Sequence, residues 1–336
     1  MHNINGQKLK QNYSLLFFIL ISILFSLVNL LNSENLITPN IYDSEIHLVI
    51  GGKGEQNILN NNFQFEPSEV IVNGYQNDSC KKTCYFFDDL NNITLIFMNQ
   101  ISSCEKMFQN SKNILEINLS NFDASEVTAM NEMFSGCSKL SSVILSNSNT
   151  YNLINISHMF YNCINLENIN FGKINSSSIE SMEYLFHGCS SLNSIDLSKL
   201  DLSKVTSMFA MFYECTNLKS INFGDINTSS VKNMRSLFNR CGLLTSINIS
   251  NFDTSQVTTF QYMFKKCYKL SSINLSKFDT SKVILMEEMF YSCSNLEAIY
   301  YGKINTSSVK NMEGLFYGCS KISSIDLSEF DTSNVT

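Results

Sequence analysis

Apolar side chains recur along this chain with a fixed period of 26 residues. The most regular of them is a phenylalanine that follows Met or Leu, and every interval between its successive copies is 26 residues. These phenylalanines are Phe108, Phe134, Phe160, Phe186, Phe212, Phe238, Phe264, Phe290 and Phe316. A period of about 20 to 50 residues indicates stacked supersecondary units, each burying its apolar face against its neighbours.

Two hydrophobic patterns follow one another within each unit. In the segment 205–215 apolar residues stand at offsets 0, 3, 7 and 10, which is the spacing of one face of a helix of about three turns. Ile221 and Phe223 then alternate with polar Asn222, which predicts a short strand. Each unit is therefore predicted to hold one helix and one strand.

Strands that are reached through an intervening helix run in the same direction. The sequence thus predicts an α/β solenoid, in which 26-residue helix–strand units stack and their strands form a parallel sheet. Polar residues between the strand and the next helix, as in "FDTSQV" (252–257), are predicted to be helix N-caps or Asx-turns.

Residues 34–100 do not share this register. "EIHLVI" (45–50), "EVIVNG" (69–74), "CYFF" (84–87) and "NITLIF" (92–97) are predicted to be short strands between turns. Because the end of a solenoid exposes strand edges and core, we interpret this region as a small β-rich N-terminal cap. An independent ligand-binding module is the alternative. The cap is followed at 101–336 by nine leucine-rich-like repeats, the last incomplete at the C-terminus.

The two ends of the chain suggest export and truncation. After Lys8 and Lys10, residues 15–31 read "LLFFILISILFSLVNLL", so residues 1–33 are predicted to be a signal peptide or an uncleaved signal anchor. Both readings place the rest at the cell surface or outside the cell. Val335 would open a tenth unit, so we expect a fragment of a longer surface protein, attached to the membrane through the N-terminal segment or an anchor beyond Thr336.

Charge and composition argue against two functional classes. The net charge is −7 without a basic block, so we expect no nucleic-acid partner. His2, His47, His158 and His187 have no acidic or nucleophilic partner outside the repeat template. We therefore expect no enzyme activity, no catalytic residue and no cofactor.

Eight of the eleven cysteines occupy one place in the repeat, three residues after the phenylalanine. Side chains at one repeat position point in parallel, so we predict a reduced, buried ladder that offers neither disulfides nor a metal site. Its members are Cys137, Cys163, Cys189, Cys215, Cys241, Cys267, Cys293 and Cys319. Cys80 and Cys84 lie in the cap, where a local disulfide or a link to Cys104 is possible.

The repeat template resembles a known surface-protein family. "CSKLSSVILS" (137–146), "CTNLKSINFG" (215–224) and "CYKLSSINLS" (267–276) look like the core of leucine-rich repeats. With the following "FDTS" and "MF" elements, residues 101–336 resemble the bacterial surface protein 26-residue repeat, grouped with BspA-like leucine-rich repeats. The resemblance implies a leucine-rich-repeat-like solenoid displayed on cell surfaces.

The outward position of the predicted strands forms the candidate binding face. Solenoids use such sheets for binding, and Tyr is a frequent hot-spot residue. The residues of this face are Asn170, Asp196, Asn222, Asn248, Asn274, Tyr300, Tyr301 and Asp326. Our hypothesis is a non-enzymatic cell-surface or secreted protein that binds a protein or glycan ligand in adhesion or recognition. The alternative is a structural spacer or coat component without a specific ligand.

Overall fold

The computed structural model describes residues 44–145, 150–172, 174–302 and 304–336. The export segment predicted at 1–33 lies outside these residues. The described residues belong to one compact unit that begins at Ser44. Their strands are β1 (Ser44–Gly51), β2 (Gly54–Asn57), β3 (Glu69–Val72), β4 (Tyr75–Gln76), β5 (Thr83–Phe86), β6 (Leu90–Phe97), β7 (Ile114–Asn118), β8 (Ser142–Ile144), β9 (Asn168–Asn170), β10 (Ser194–Asp196), β11 (Ser220–Asn222), β12 (Ser272–Leu275) and β13 (Ala298–Tyr301).

The first six strands form the β-rich part that precedes the repeats. β1 pairs antiparallel with β6 on one side and with β7, the first repeat strand, on the other. Alternate residues of β1, among them Ile46, Leu48 and Ile50, are buried, as the period of two in this segment predicts. β1 thus occupies the edge of β7 that would otherwise present unpaired backbone groups. The proposed domain boundaries themselves stay predictions.

The repeat strands stack in parallel, one coil upon the next. β7, β8 and β9 pair in order, as do β10 with β11 and β12 with β13, and partners are 26 residues apart. A second parallel ladder of single-residue bridges runs from Ser103 through Ala129 and onward to Asn311. The predicted solenoid of parallel strands is therefore confirmed.

The helical half of the predicted α/β fold is wrong, because the described residues contain no helix. The segment around Phe108 consists of successive turns, in which Met107 N donates to Cys104 O and Ser111 N to Phe108 O. Between these bonds, Phe108 N donates to Met133 O of the next coil at 2.8 Å. A helix would instead pair each N–H with the carbonyl four residues earlier.

Backbone dihedral angles also exclude a helix here. The residues two before and two after the repeat phenylalanine have positive φ, as at Lys106 (57°) and Asn110 (62°). A type II turn requires a positive φ at its third residue, whereas a right-handed helix cannot contain one. The offsets 0, 3, 7 and 10 therefore mark the inward residues of consecutive turns.

The core is a set of ladders made by equivalent residues of successive coils. The repeat phenylalanines stack from Phe108 to Phe316, with ring centroids 5.4–5.8 Å apart. Buried hydroxyls form a second ladder, in which Thr228 Oγ1 donates to Asp253 O and accepts from Asp253 N. Thr254 and Thr280 repeat this arrangement. These ladders hold each coil in register with the next.

Candidate binding surface

The sheet face predicted to bind a ligand is exposed, but most of its polar side chains already form hydrogen bonds within the protein. Asn170, Asp196, Asn222, Asn248, Asn274 and Asp326 are all exposed to solvent. Their side-chain oxygens accept hydrogen bonds from the backbone two residues further on, as in Asn274 Oδ1 with Ser276 N at 2.9 Å. Asn222 Nδ2 also donates to Asp196 Oδ1 at 3.1 Å. These side chains therefore use much of their hydrogen-bonding capacity to shape turns.

The two tyrosines predicted for this face lie on opposite sides of β13. Tyr300 is 58% exposed, whereas Tyr301 packs against Phe330 and the core, with ring centroids 5.8 Å apart in an edge-on contact. Adjacent residues of a strand point to opposite faces, so including Tyr301 in the outward set was wrong. Burial raises the pKa of Tyr301 well above its usual value.

The cysteines fall into two groups. Cys80 and Cys84 are joined by a disulfide, and Cys104 is free and buried. The eight repeat cysteines are free, and each Sγ donates to the carbonyl oxygen of the phenylalanine 29 residues earlier, as in Cys215 with Phe186 at 3.0 Å. The thiols are therefore partnered to the neighbouring coil rather than to each other.

The Asp/Asn positions of "FDTS" form Asx-turns. Asp253 Oδ1 accepts from Ser255 N, and Asp279 and Asn305 make the same bond with Ser281 and Ser307. Of the two structures predicted for this segment, an N-cap or an Asx-turn, the turn is therefore the one present.

Within the described part of the chain, no group of three or more His, Cys, Asp or Glu side chains could hold a metal ion. In the same part, no helix is long and apolar enough to cross a membrane.

A different surface, on the turn-rich side of the coils, brings aromatic and basic side chains together. We call it the aromatic–cationic groove. It is lined by Tyr184, His187, Phe209, Ala210, Tyr213, Glu214, Arg235, Ser236, Asn239, Arg240, Tyr262, Lys265 and Lys266. Arg235 and Arg240 are the only arginines in the whole sequence.

Stacked rings form one wall of the groove. His187 lies between Tyr161 and Tyr213, with ring centroids 4.6 Å away on each side. Tyr184 stacks on His158 at 4.5 Å and meets Phe209 edge-on at 4.8 Å. Burial lowers the pKa of His187 and of His158, so both imidazoles are held in the neutral form near pH 7.

Arg235 lies between two rings. Its guanidinium carbon is 5.6 Å from the centroid of Phe209 and 5.4 Å from that of Tyr262, within the range of cation–π attraction. Tyr262 Oη donates to Glu287 at 2.8 Å, and burial together with this bond raises the pKa of Tyr262 to about 12. Phe209 and Tyr262 therefore both help to hold the Arg235 side chain in place.

The other cations differ in how far they are neutralised. Arg240 pairs with Glu214 at 3.0 Å, and Lys265 pairs with Glu288 while lying 4.9 Å from the ring centroid of Tyr262. In the described residues, Arg235 and Lys266 have no carboxylate within ion-pair distance. The groove therefore carries excess positive charge on a chain of net charge −7.

The sequence-based prediction missed this groove because it placed the binding face only at the outward position of the strands. Its residues stand three and two before, and one and two after, the repeat phenylalanine. These positions lie on one side of the turn segments, opposite the inward residues of the core, and they do not belong to the strands. One signal was available in the sequence. The position after the phenylalanine holds Tyr161, His187, Tyr213, Tyr291 and Tyr317, an aromatic column outside the core template.

Comparison with known proteins finds a family match and a distant structural similarity. The family described as "Mycoplasma protein of unknown function, DUF285" matches residues 79–195, 143–242, 215–301 and 272–336. No curated protein matches the chain. A leucine-rich repeat protein from Eubacterium ventriosum, known from a crystal structure, is similar over 62% of this chain, at 17% identity and a TM-score of 0.35. The chain spans about 60% of that protein's length.

Proposed function

The chain belongs to the DUF285 family and is a BspA-like repeat protein, and from this premise we propose that it is an exported, non-enzymatic binding protein. Its ligand would be a protein or a glycan at the cell surface, as in adhesion or recognition. The membrane attachment and the extracellular location are parts of this proposal, supported by the apolar segment 15–31.

The observation that carries the proposal is the aromatic–cationic groove. Tyr and Arg are over-represented among residues that dominate binding energy, because they supply large contact areas together with hydrogen bonds. Both arginines of the chain are placed there, beside Tyr184, Tyr213 and Tyr262. A structural spacer, in which the repeats serve only to determine the length of the protein, would not require these side chains to be concentrated in neighbouring coils.

The alternative remains a structural spacer or coat component without a specific ligand. The sheet face favours the spacer, since the side chains of Asn222, Asn248 and Asn274 already accept hydrogen bonds from the backbone of their own turns. Both candidates share the same fold, and they differ in whether one surface binds specifically.

A binding screen separates them. The full chain in mild detergent is applied to an array of glycans and surface proteins, beside Arg235→Ala/Arg240→Ala and, as a matched control on the sheet face, Tyr300→Ala. We expect specific ligands for the wild type, retained by the Tyr300 variant and weakened about tenfold or more by the double substitution. No specific ligand for any form would favour the spacer. Loss confined to Tyr300→Ala would place binding on the sheet.

A further inference from the structure

We propose that the aromatic–cationic groove binds an acidic oligosaccharide whose sugar carboxylate pairs with Arg235. This inference rests on the proposed binding function and names the ligand class for that surface. Its first support is the geometry of Arg235. Arg235 is exposed to solvent, its guanidinium lies against the rings of Phe209 and Tyr262, and it has no carboxylate partner in the described residues. A planar guanidinium matches a planar carboxylate through two parallel hydrogen bonds.

The charges around Arg235 select an anion. Among the neighbouring carboxylates, Glu214 pairs with Arg240 and Glu288 with Lys265. Glu287 accepts a hydrogen bond from Tyr262, and Glu183 accepts one from Ser207. Lys266 adds a second cation that has no ion-pair partner in the described residues. An acidic ligand therefore meets two cations, Arg235 and Lys266, that form no ion pair within the described residues.

The aromatic wall and the groove lining suit a hydroxylated ligand. Stacked rings turn their edges outward, and ring edges carry partial positive charge. Asn239 is only 5% exposed, yet it lines the groove, and its Oδ1 has no hydrogen-bond partner within the described residues. The same is true of Nδ1 of His187, a second lining residue. Both atoms are shielded from solvent, so a sugar hydroxyl would reach them only after the side chains turn toward the groove.

A peptide ligand fits the groove less well. Extended peptides commonly bind by adding a strand to a free edge, through backbone hydrogen bonds. Here the backbone N–H groups are already used between coils, as Ala210 N donates to Arg235 O and Arg240 N to Lys265 O. The buried lining residues are Ala210, Ser236 and Asn239, which form no large apolar socket for a peptide side chain. The surface therefore favours a carbohydrate.

Matched ligands test the carboxylate directly. Binding of a uronic-acid oligosaccharide to the full chain in mild detergent is measured by calorimetry, beside the methyl ester of the same oligosaccharide, which is neutral. We expect the ester to bind about tenfold more weakly or worse, because its carboxylate can no longer pair with a guanidinium. Equal affinity for acid and ester would overturn the proposal. An acidic peptide or a sulfated oligosaccharide bound more tightly than the uronate would also overturn it.

Matched protein variants test the residue. Arg235→Ala is expected to lose about tenfold or more in uronate affinity, and Arg235→Lys to recover only part of it, because an ammonium group lacks the planar fork. Lys219→Ala removes an exposed charge outside the groove and should bind like the wild type. Thermal unfolding of each variant verifies the fold. If the chain binds other ligands but no uronate, this inference fails and the proposed binding function stands.

Discussion

At the scale of single residues, the repeat cysteines show how one side chain serves two coils. Each fills a core position and also donates its S–H to the preceding coil, as Cys163 does to Phe134 O at 3.0 Å. Burial raises the pKa of Cys137 to about 12 and moves that of Cys163 well above its usual value. Since the thiolate is the reactive form, these thiols should be chemically inert in the folded protein.

Alkylation tests this expectation. At pH 8 without reductant, iodoacetamide should leave Cys104 and the repeat cysteines from Cys137 to Cys293 unmodified, as read by mass spectrometry of the folded chain. Cys319 is only half-buried and should react first. The control is the same reaction in guanidinium chloride, where all nine free thiols should be labelled. Rapid labelling of Cys215 in the folded state would contradict the buried ladder.

At the scale of elements, the turn segments depend on residues in the left-handed region of φ. Most of these residues are not glycine, as Glu132 (56°) and Tyr184 (55°) illustrate. A residue with a side chain pays roughly 1 kcal/mol or more for this conformation. The backbone hydrogen bonds between coils, such as Glu132 N to Ser157 O at 3.0 Å, offset that cost in each unit.

Two glycines allow the cost of a side chain at such a position to be measured. Gly136 (74°) and Gly74 (86°) both have positive φ, but a Cβ at Gly136 would collide with Asn110 Oδ1, whereas one at Gly74 meets nothing within 4 Å. We expect Gly136→Ala to lower the free energy of unfolding by about 2 kcal/mol and Gly74→Ala by about 1 kcal/mol. Urea denaturation measures both. Equal losses would show that contact with the neighbouring coil is unimportant.

The 26-residue period was enough to predict which residues of successive units pack and pair with each other. Identical spacing was enough to predict the stacking of Phe108 to Phe316 and the pairing of strands 26 residues apart, because equivalent residues of stacked units must coincide. The turns could not be predicted in this way. Their positive φ falls on Lys106, Ala210 or Arg240, residues without the conformational signature of glycine, and the bonds that support it come from the next coil. The groove was missed for a different reason, since the binding face was predicted from the outward strand position alone.

At the scale of the whole molecule, the solenoid is a sum of nearest-neighbour contacts. Each coil bonds to the preceding and following coils through the strand ladder, the bridge ladder and the buried Thr hydroxyls. Stability in such an array is approximately additive over units and their interfaces. Register therefore matters more than the number of coils.

Deleting one unit tests this view. Removal of the 26 residues 290–315 joins Met289 to Phe316 and restores the template, so we expect a folded and slightly less stable chain. Removal of 25 residues, 290–314, leaves every later residue one position out of phase and should unfold the following coil, because a one-residue slip turns inward side chains outward. Circular dichroism and limited proteolysis compare the two. Equal protease resistance would contradict the requirement for register.

The backbone bonding of the turn positions has an evolutionary consequence. Main-chain atoms hold the residues beside each repeat phenylalanine in place, so their side chains are little constrained by folding. Arg235 and Arg240 lie five residues apart in one coil, and no other coil contains an arginine. Side-chain substitutions at these positions are enough to distinguish this coil from the others. If the groove binds a ligand as proposed, a descendant could move that binding site to another coil by point mutation, without acquiring a new fold. Such proteins could change ligand while retaining the same architecture.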